Sequence, residues 1–124
     1  MFHEIHYHFI NFVVPPGNPQ LSGPSSVIVG YSVTLTCSTR GGDPTPSVIW
    51  YRSTNKGQPV DQTATTSNGV TTNDYTFVAN NSDHHAVFEC QVDNSILENA
   101  LVATWFFDVY SMFYYIFLIL PFLF

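Results

Sequence analysis

The chain has 124 residues, a length that fits one domain. It is 45% hydrophobic and 10% charged, enough apolar material for a core and too much for a disordered chain. Three bases, Arg40, Arg52 and Lys56, stand against nine acids and leave a net charge of −6, so a nucleic-acid module and a polybasic lipid binder are excluded.

Residues 1–12 form an irregular opening. A secretory signal needs a basic start and an unbroken apolar run. Here the start has no Lys or Arg, and His3, Glu4, His6 and His8 interrupt the run. Residues 9–14 could begin a first strand. The stretch Pro15 to Ser25 holds four prolines, which lack backbone donors, so it reads as an edge or linker segment. From Ser32 to Thr39 apolar and polar residues alternate, with Val33, Leu35 and Cys37 on one face; this predicts a half-buried strand. Gly41-Gly42-Asp43-Pro44 is turn-forming. A second strand is predicted over 47–53, with Val48 and Trp50 inward. Residues 54–70 are polar, with turns at Asn55-Lys56-Gly57 and Asn68-Gly69, and leave room for one or two short strands. A strand over 72–79 puts Tyr75 and Phe77 inward. One over 86–93 aligns Ala86, Phe88, Cys90 and Val92, and Asp93-Asn94-Ser95 turns the chain into a last strand over 101–110.

The end, Met112 to Phe124, is uncharged and apolar. As a helix it would reach about 20 Å, short of the ~30 Å hydrocarbon core of a bilayer, and no base follows to hold it on one side. Three readings stay open: a truncated membrane span, a tail left by a fragment or a mistaken gene boundary, or an extra apolar strand or helix.

Cys37 and Cys90 are too far apart for a zinc half-site. They are either two unrelated buried thiols or one disulfide. Trp50 lies between them, and each cysteine lines up with apolar neighbours. The segment Ser32-Val-Thr-Leu-Thr-Cys-Ser-Thr-Arg-Gly-Gly-Asp-Pro-Thr-Pro-Ser-Val-Ile-Trp-Tyr-Arg52 resembles the B–C region of C2-type immunoglobulin domains in nephrin, irregular-chiasm and nectin-like adhesion molecules. Val14-Pro-Pro-Gly-Asn-Pro-Gln-Leu-Ser-Gly23 is similar to their opening strand. The resemblance covers about 13–110. It implies an all-β, immunoglobulin-like sandwich of Greek-key topology, with about seven strands and one inter-sheet disulfide, Cys37–Cys90, packed against a core of Trp50, Leu35 and Phe88. A disulfide of that kind implies an oxidising, extracellular setting. One departure is Phe88, where such domains often carry a tyrosine whose hydroxyl ties down a corner. The expected organisation is thus a tail over 1–12, an immunoglobulin-like domain over 13–110 and an apolar tail over 111–124.

Chemistry of the enzymatic kind is not written here. There is no Gly-x-Ser-x-Gly elbow and no phosphate-cradling glycine loop, and the expectation is a non-enzyme with no cofactor and no metal. His3, Glu4, His6 and His8 read as a solvated tail, and His84-His85 as exposed turn residues. Asn80-Asn81-Ser82 is an N-glycosylation sequon. Alternation leaves Ile49, Tyr51, Val87, Glu89, Gln91 and Phe106 pointing outward. In the resembled fold the strands predicted over 47–53, 86–93 and 101–110 are neighbours, so Ile49, Tyr51, Val87 and Phe106 would form an apolar patch ringed by Gln91, Glu89 and Arg52. The resemblance implies a role in cell adhesion, with another cell-surface, immunoglobulin-like protein as partner, homophilic or heterophilic. Membrane association through 111–124 is the other expected contact. The competing expectations are a spacer without a ligand and an immune-type recognition protein.

Overall fold

The structure, a computed structural model, describes residues 13–123, without the side chains of Tyr114 and Tyr115. Ten short strands occur among them: β1 (Gln20–Ser22), β2 (Ser26–Ile28), β3 (Ser32–Arg40), β4 (Ser47–Arg52), β5 (Pro59–Asp61), β6 (Thr65–Ser67), β7 (Val70–Val78), β8 (Phe88–Asp93), β9 (Leu101–Trp105) and β10 (Asp108–Tyr110). A helix, α1 (Met112–Ile119), and a 3-10 turn (Leu120–Phe122) follow. The His3, Glu4, His6 and His8 cluster lies outside the described residues.

One sheet has the order β1-β3-β7-β6, the other β5-β4-β8-β9, and β10 pairs in parallel with β2 beside them. This is the two-sheet division of an immunoglobulin sandwich, with β5 added at the edge of the second sheet. The β3–β7 ladder runs its full length from Ser32 opposite Val78 to Arg40 opposite Val70. Alternation decides its faces. Val33, Leu35, Cys37 and Thr39 are buried while Ser32, Thr34 and Arg40 are exposed. Asn68 and Gly69, both at positive φ, form the two-residue turn between β6 and β7, the geometry that matches strand twist.

The core lies between the sheets and consists of Val33, Leu35, Val48, Trp50, Phe88, Val92 and Phe107 around the sulfurs. Cys37 on β3 and Cys90 on β8 are joined and fully buried. The bond therefore crosses from one sheet to the other. Trp50 is buried beside it and donates its ring N–H to the Asn73 carbonyl at 3.1 Å.

The ten strands keep the expected sandwich, with β5 and β6 in the stretch 54–70 that left room for one or two short strands. Two differences from the sequence reading have physical reasons. The last predicted strand breaks at Phe106–Phe107: β9 follows β8 as far as Trp105, and the chain then changes partner to β2, with the Asp108 N–H donating to the Ser25 carbonyl at 3.0 Å. Arg52 does not ring the outward patch. It follows Trp50 on the inner side of β4, where Nη1 meets Asp83 Oδ1 at 2.7 Å and the guanidinium lies 5.5 Å from the Phe88 ring centre.

That last contact also accounts for Phe88. Its ring stacks on Phe107 at 5.9 Å and tilts against Phe77 at 5.3 Å. The corner that a tyrosine hydroxyl would tie is held by charge. Asp83 takes Arg52 on one oxygen and the Asn80 N–H on the other, at 2.9 Å. Burial, then the charges of Asp83 and Asp61, push the nearby Tyr75 phenol above its ordinary range, against a smaller opposing pull from Arg52.

Candidate functional site

The outer face of the β5-β4-β8-β9 sheet gathers the outward residues into rows. Register sets Ile49 opposite Gln91 and Gln91 opposite Val102. The next row is Tyr51, Glu89 and Thr104. Beyond the end of β8, Val87 continues the line, and its carbonyl accepts the Ser53 N–H at 2.8 Å. Phe106 lies past the end of β9, 63% exposed. Ile49, Tyr51, Val87 and Gln91 are half-buried.

Glu89 sits in the middle row, not on a rim. It is only 5% exposed, because Lys56 reaches over from the loop before β5 and Gln91 leans back from the next row. Lys56 Nζ is 3.1 Å from Glu89 Oε1, and Gln91 Nε2 donates to Oε2 at 2.7 Å. The acid is thus neutralised and hydrogen-bonded where it is covered, as a buried charge must be. The face is apolar at both ends with a compensated charge at its centre. Val102, half exposed, belongs to it too. Sequence reasoning passed over Val102, although the alternation that put Phe106 outside places it there as well.

Phe106 has one neighbour of note. The His85 ring meets it edge-on at 6.0 Å. His84, His85 and Asp108 bring potential ligand atoms within 4.8 Å of one another. The donor set does not suit a metal. His84 Nδ1 accepts the Val109 N–H at 2.9 Å, so the ring proton sits on Nε2, the nitrogen a metal would need bare. His85 Nε2 is already engaged by Asp108 Oδ1. Both histidines are exposed and serve to dock the turn after β7 onto β10, helped by the His85 N–H donating to the Phe107 carbonyl at 3.1 Å.

Asn80 is exposed and caps the 3-10 turn Asn81–Asp83. Its Oδ1 accepts from the Ser82 N–H at 2.9 Å and from the Ser82 hydroxyl. The two cysteines and the core residues Trp50, Leu35 and Phe88 lie together between the sheets, behind this face.

Residues 12–99 match the model of the CD80-like C2-set immunoglobulin domain. Among characterised proteins, the human cell surface A33 antigen is 37% identical over 54 residues, covering 42% of this chain and 17% of the antigen. Human nephrin is 30% identical over 93 residues, 70% of this chain and 7% of nephrin. The chain therefore spans less than a fifth of either relative. Among solved structures, the ectodomain of mouse nectin-like molecule 4 superposes with a TM-score of 0.66 at 18% identity, over 80% of this chain and 35% of that one, a likeness of fold. With the joined cysteines, the buried tryptophan and the two-sheet topology, the chain belongs to the CD80-like C2-set family of immunoglobulin domains.

Proposed function

We propose that this chain is an extracellular recognition module of the adhesion type, which docks another immunoglobulin-like cell-surface protein through the outer face of its β5-β4-β8-β9 sheet. The observation that carries the reading is the composition of that face. Ile49, Tyr51, Val87, Val102 and Phe106 supply apolar and aromatic anchors, and the one covered acid is matched by Lys56 and Gln91. Aromatic anchors carry much of the binding energy in protein interfaces, and an uncompensated central charge would oppose docking. The kinship with proteins named for the cell surface and for adhesion supports the setting, and so does a buried disulfide, which persists where thiols are oxidised. In this reading residues 13–110 are the recognition unit of a surface receptor, Asn80 on the turn after β7 carries a glycan, and the module works by binding, with no catalytic residue.

Tyr51→Asp and Phe106→Asp test it. Displayed on beads or cells, the wild-type domain should support aggregation or capture an immunoglobulin-like partner, and each variant should weaken that by at least about tenfold. Thermal stability should hold, because both side chains reach solvent. Mixing of labelled and unlabelled beads separates like-with-like pairing from pairing with a different protein. Unchanged aggregation in both variants would reduce the domain to a spacer.

A further inference from the structure

We propose that α1, with the groove beside it, is a lipid-contact surface that enters the hydrocarbon of an electrically neutral leaflet. This stands apart from the docking face and does not depend on it. A helix that serves a protein core has one apolar stripe and one polar face. From Met112 to Leu123 this chain has no charged residue, and apart from the two tyrosines, Tyr114 and Tyr115, every residue is apolar. Phe113 is 88% exposed, Phe117 73% and Phe122 86%, and Ile116, Leu118 and Leu120 are exposed as well. A groove on a partner protein would cover one side of such a helix and leave the others in water. Hydrocarbon surrounds it.

A second observation points the same way. An open groove of about 610 Å³ runs between the sandwich edge and the helix, lined by Val27, Ile28, Tyr31, Val33, Tyr110 and Leu118. Its size is that of a small-molecule site and its walls are mainly apolar, with Ser26, Ser32 and Thr34 among them, and α1 borders it through Leu118, so an acyl chain beside α1 would find an apolar bed there. Helix and 3-10 turn together rise about 18 Å, enough to reach into the hydrocarbon of one leaflet. No helix among the described residues is long and apolar enough to cross a membrane.

Charge then chooses the lipid. No base follows Lys56, while seven acids do, so an anionic surface offers repulsion and no polybasic attraction. The expected contact is with neutral lipid and is insensitive to salt.

Flotation of the full chain with pure phosphatidylcholine vesicles tests the proposal. The wild type should float with the vesicles equally at low and high salt, and less when phosphatidylserine is added. The double variant F113D/F117D should lose partitioning by about a hundredfold or more, since two phenyl rings no longer leave water. Its far-UV circular dichroism and thermal midpoint should match the wild type, because neither ring packs in the sandwich core. Wild-type protein that stays at the bottom of the gradient, as monomer or as a self-associated species, overturns the proposal. So does a double variant that still floats. Flotation seen only with phosphatidylserine overturns it too.

Discussion

Asn73 makes the most consequential polar contacts in the interior. It is fully buried on β7, and its side-chain Nδ2 donates across the sandwich to the Val48 carbonyl at 3.0 Å and the Asp61 carbonyl at 3.2 Å. Its main-chain carbonyl accepts the Trp50 ring N–H, while the side-chain Oδ1 is buried without a partner among the described residues. One residue thus satisfies groups on β4 and β5 and fixes the indole that lies beside the disulfide. Removing the amide takes the donor from one buried and one half-buried carbonyl and opens a void. Asn73→Ala should lower stability by about 2–3 kcal/mol, read as a lower urea midpoint at unchanged slope. Asn73→Asp should be worse, since it turns an acceptor toward two carbonyls. A loss below about 0.5 kcal/mol for the alanine variant would show that water replaces the amide. Nothing in the sequence marked Asn73. Alternation placed it on the inner face with Tyr75 and Phe77, but the partners it bridges come from two other strands, and that juxtaposition exists only once the sheets are stacked. Arg52 was placed on the rim of the outward patch, although it shares the inward parity of Val48 and Trp50, and its inner partner, Asp83, comes from far along the chain.

At the level of elements, β3, β4 and β8 were legible because each alternates over six or more residues and each carries a landmark: Cys37, Trp50 or Cys90. The strands that ran less true, β2, β9 and β10, are those whose pairing partner changes within a few residues, which local pattern does not record. The candidate face inherits this. Its β4 and β8 rows followed from parity, whereas the covered position of Glu89 depends on a lysine from a loop with no period at all. The turn after β7 gives a prediction at the same scale. The Asn80 Oδ1 is committed to capping, and its Nδ2 makes no hydrogen bond among the described residues, so a glycan there would cost the turn nothing. Protein secreted from a eukaryotic host should run larger and collapse to the calculated mass on treatment with a peptide N-glycosidase. Asn80→Asp keeps the capping oxygen and removes the acceptor, and should abolish the shift while leaving the thermal midpoint in place. A shift that survives in Asn80→Asp, or wild-type protein without one, would count against the site.

The whole molecule rests on the tie between its two sheets. β3 and β8 belong to different sheets and are 53 residues apart in the chain at the bonded cysteines. Without the bond, the unfolded chain is free to separate these points. With it, about 4 kcal/mol of loop-closure entropy has already been removed in the chain-entropy model. Typical domains hold only 5–15 kcal/mol in total, so this one link is a large share of the margin. The folded side adds little to the argument, because both sulfurs are fully buried and Leu35, Trp50 and Val92 pack around them either way. The paired change Cys37→Ala with Cys90→Ala should therefore leave the sandwich recognisable by circular dichroism while lowering the urea midpoint by the equivalent of about 3–4 kcal/mol. Because the effect acts on the unfolded chain, the loss should appear mainly in the folding rate if the sheets come together early, and in the unfolding rate if they close last. Thiol titration gives the complementary reading. Secreted, non-reduced protein should show no reactive sulfhydryl in denaturant and two after reduction. Two open sulfhydryls in non-reduced material would remove the link between the sheets, and with it the inference of an oxidising compartment on which the extracellular reading depends.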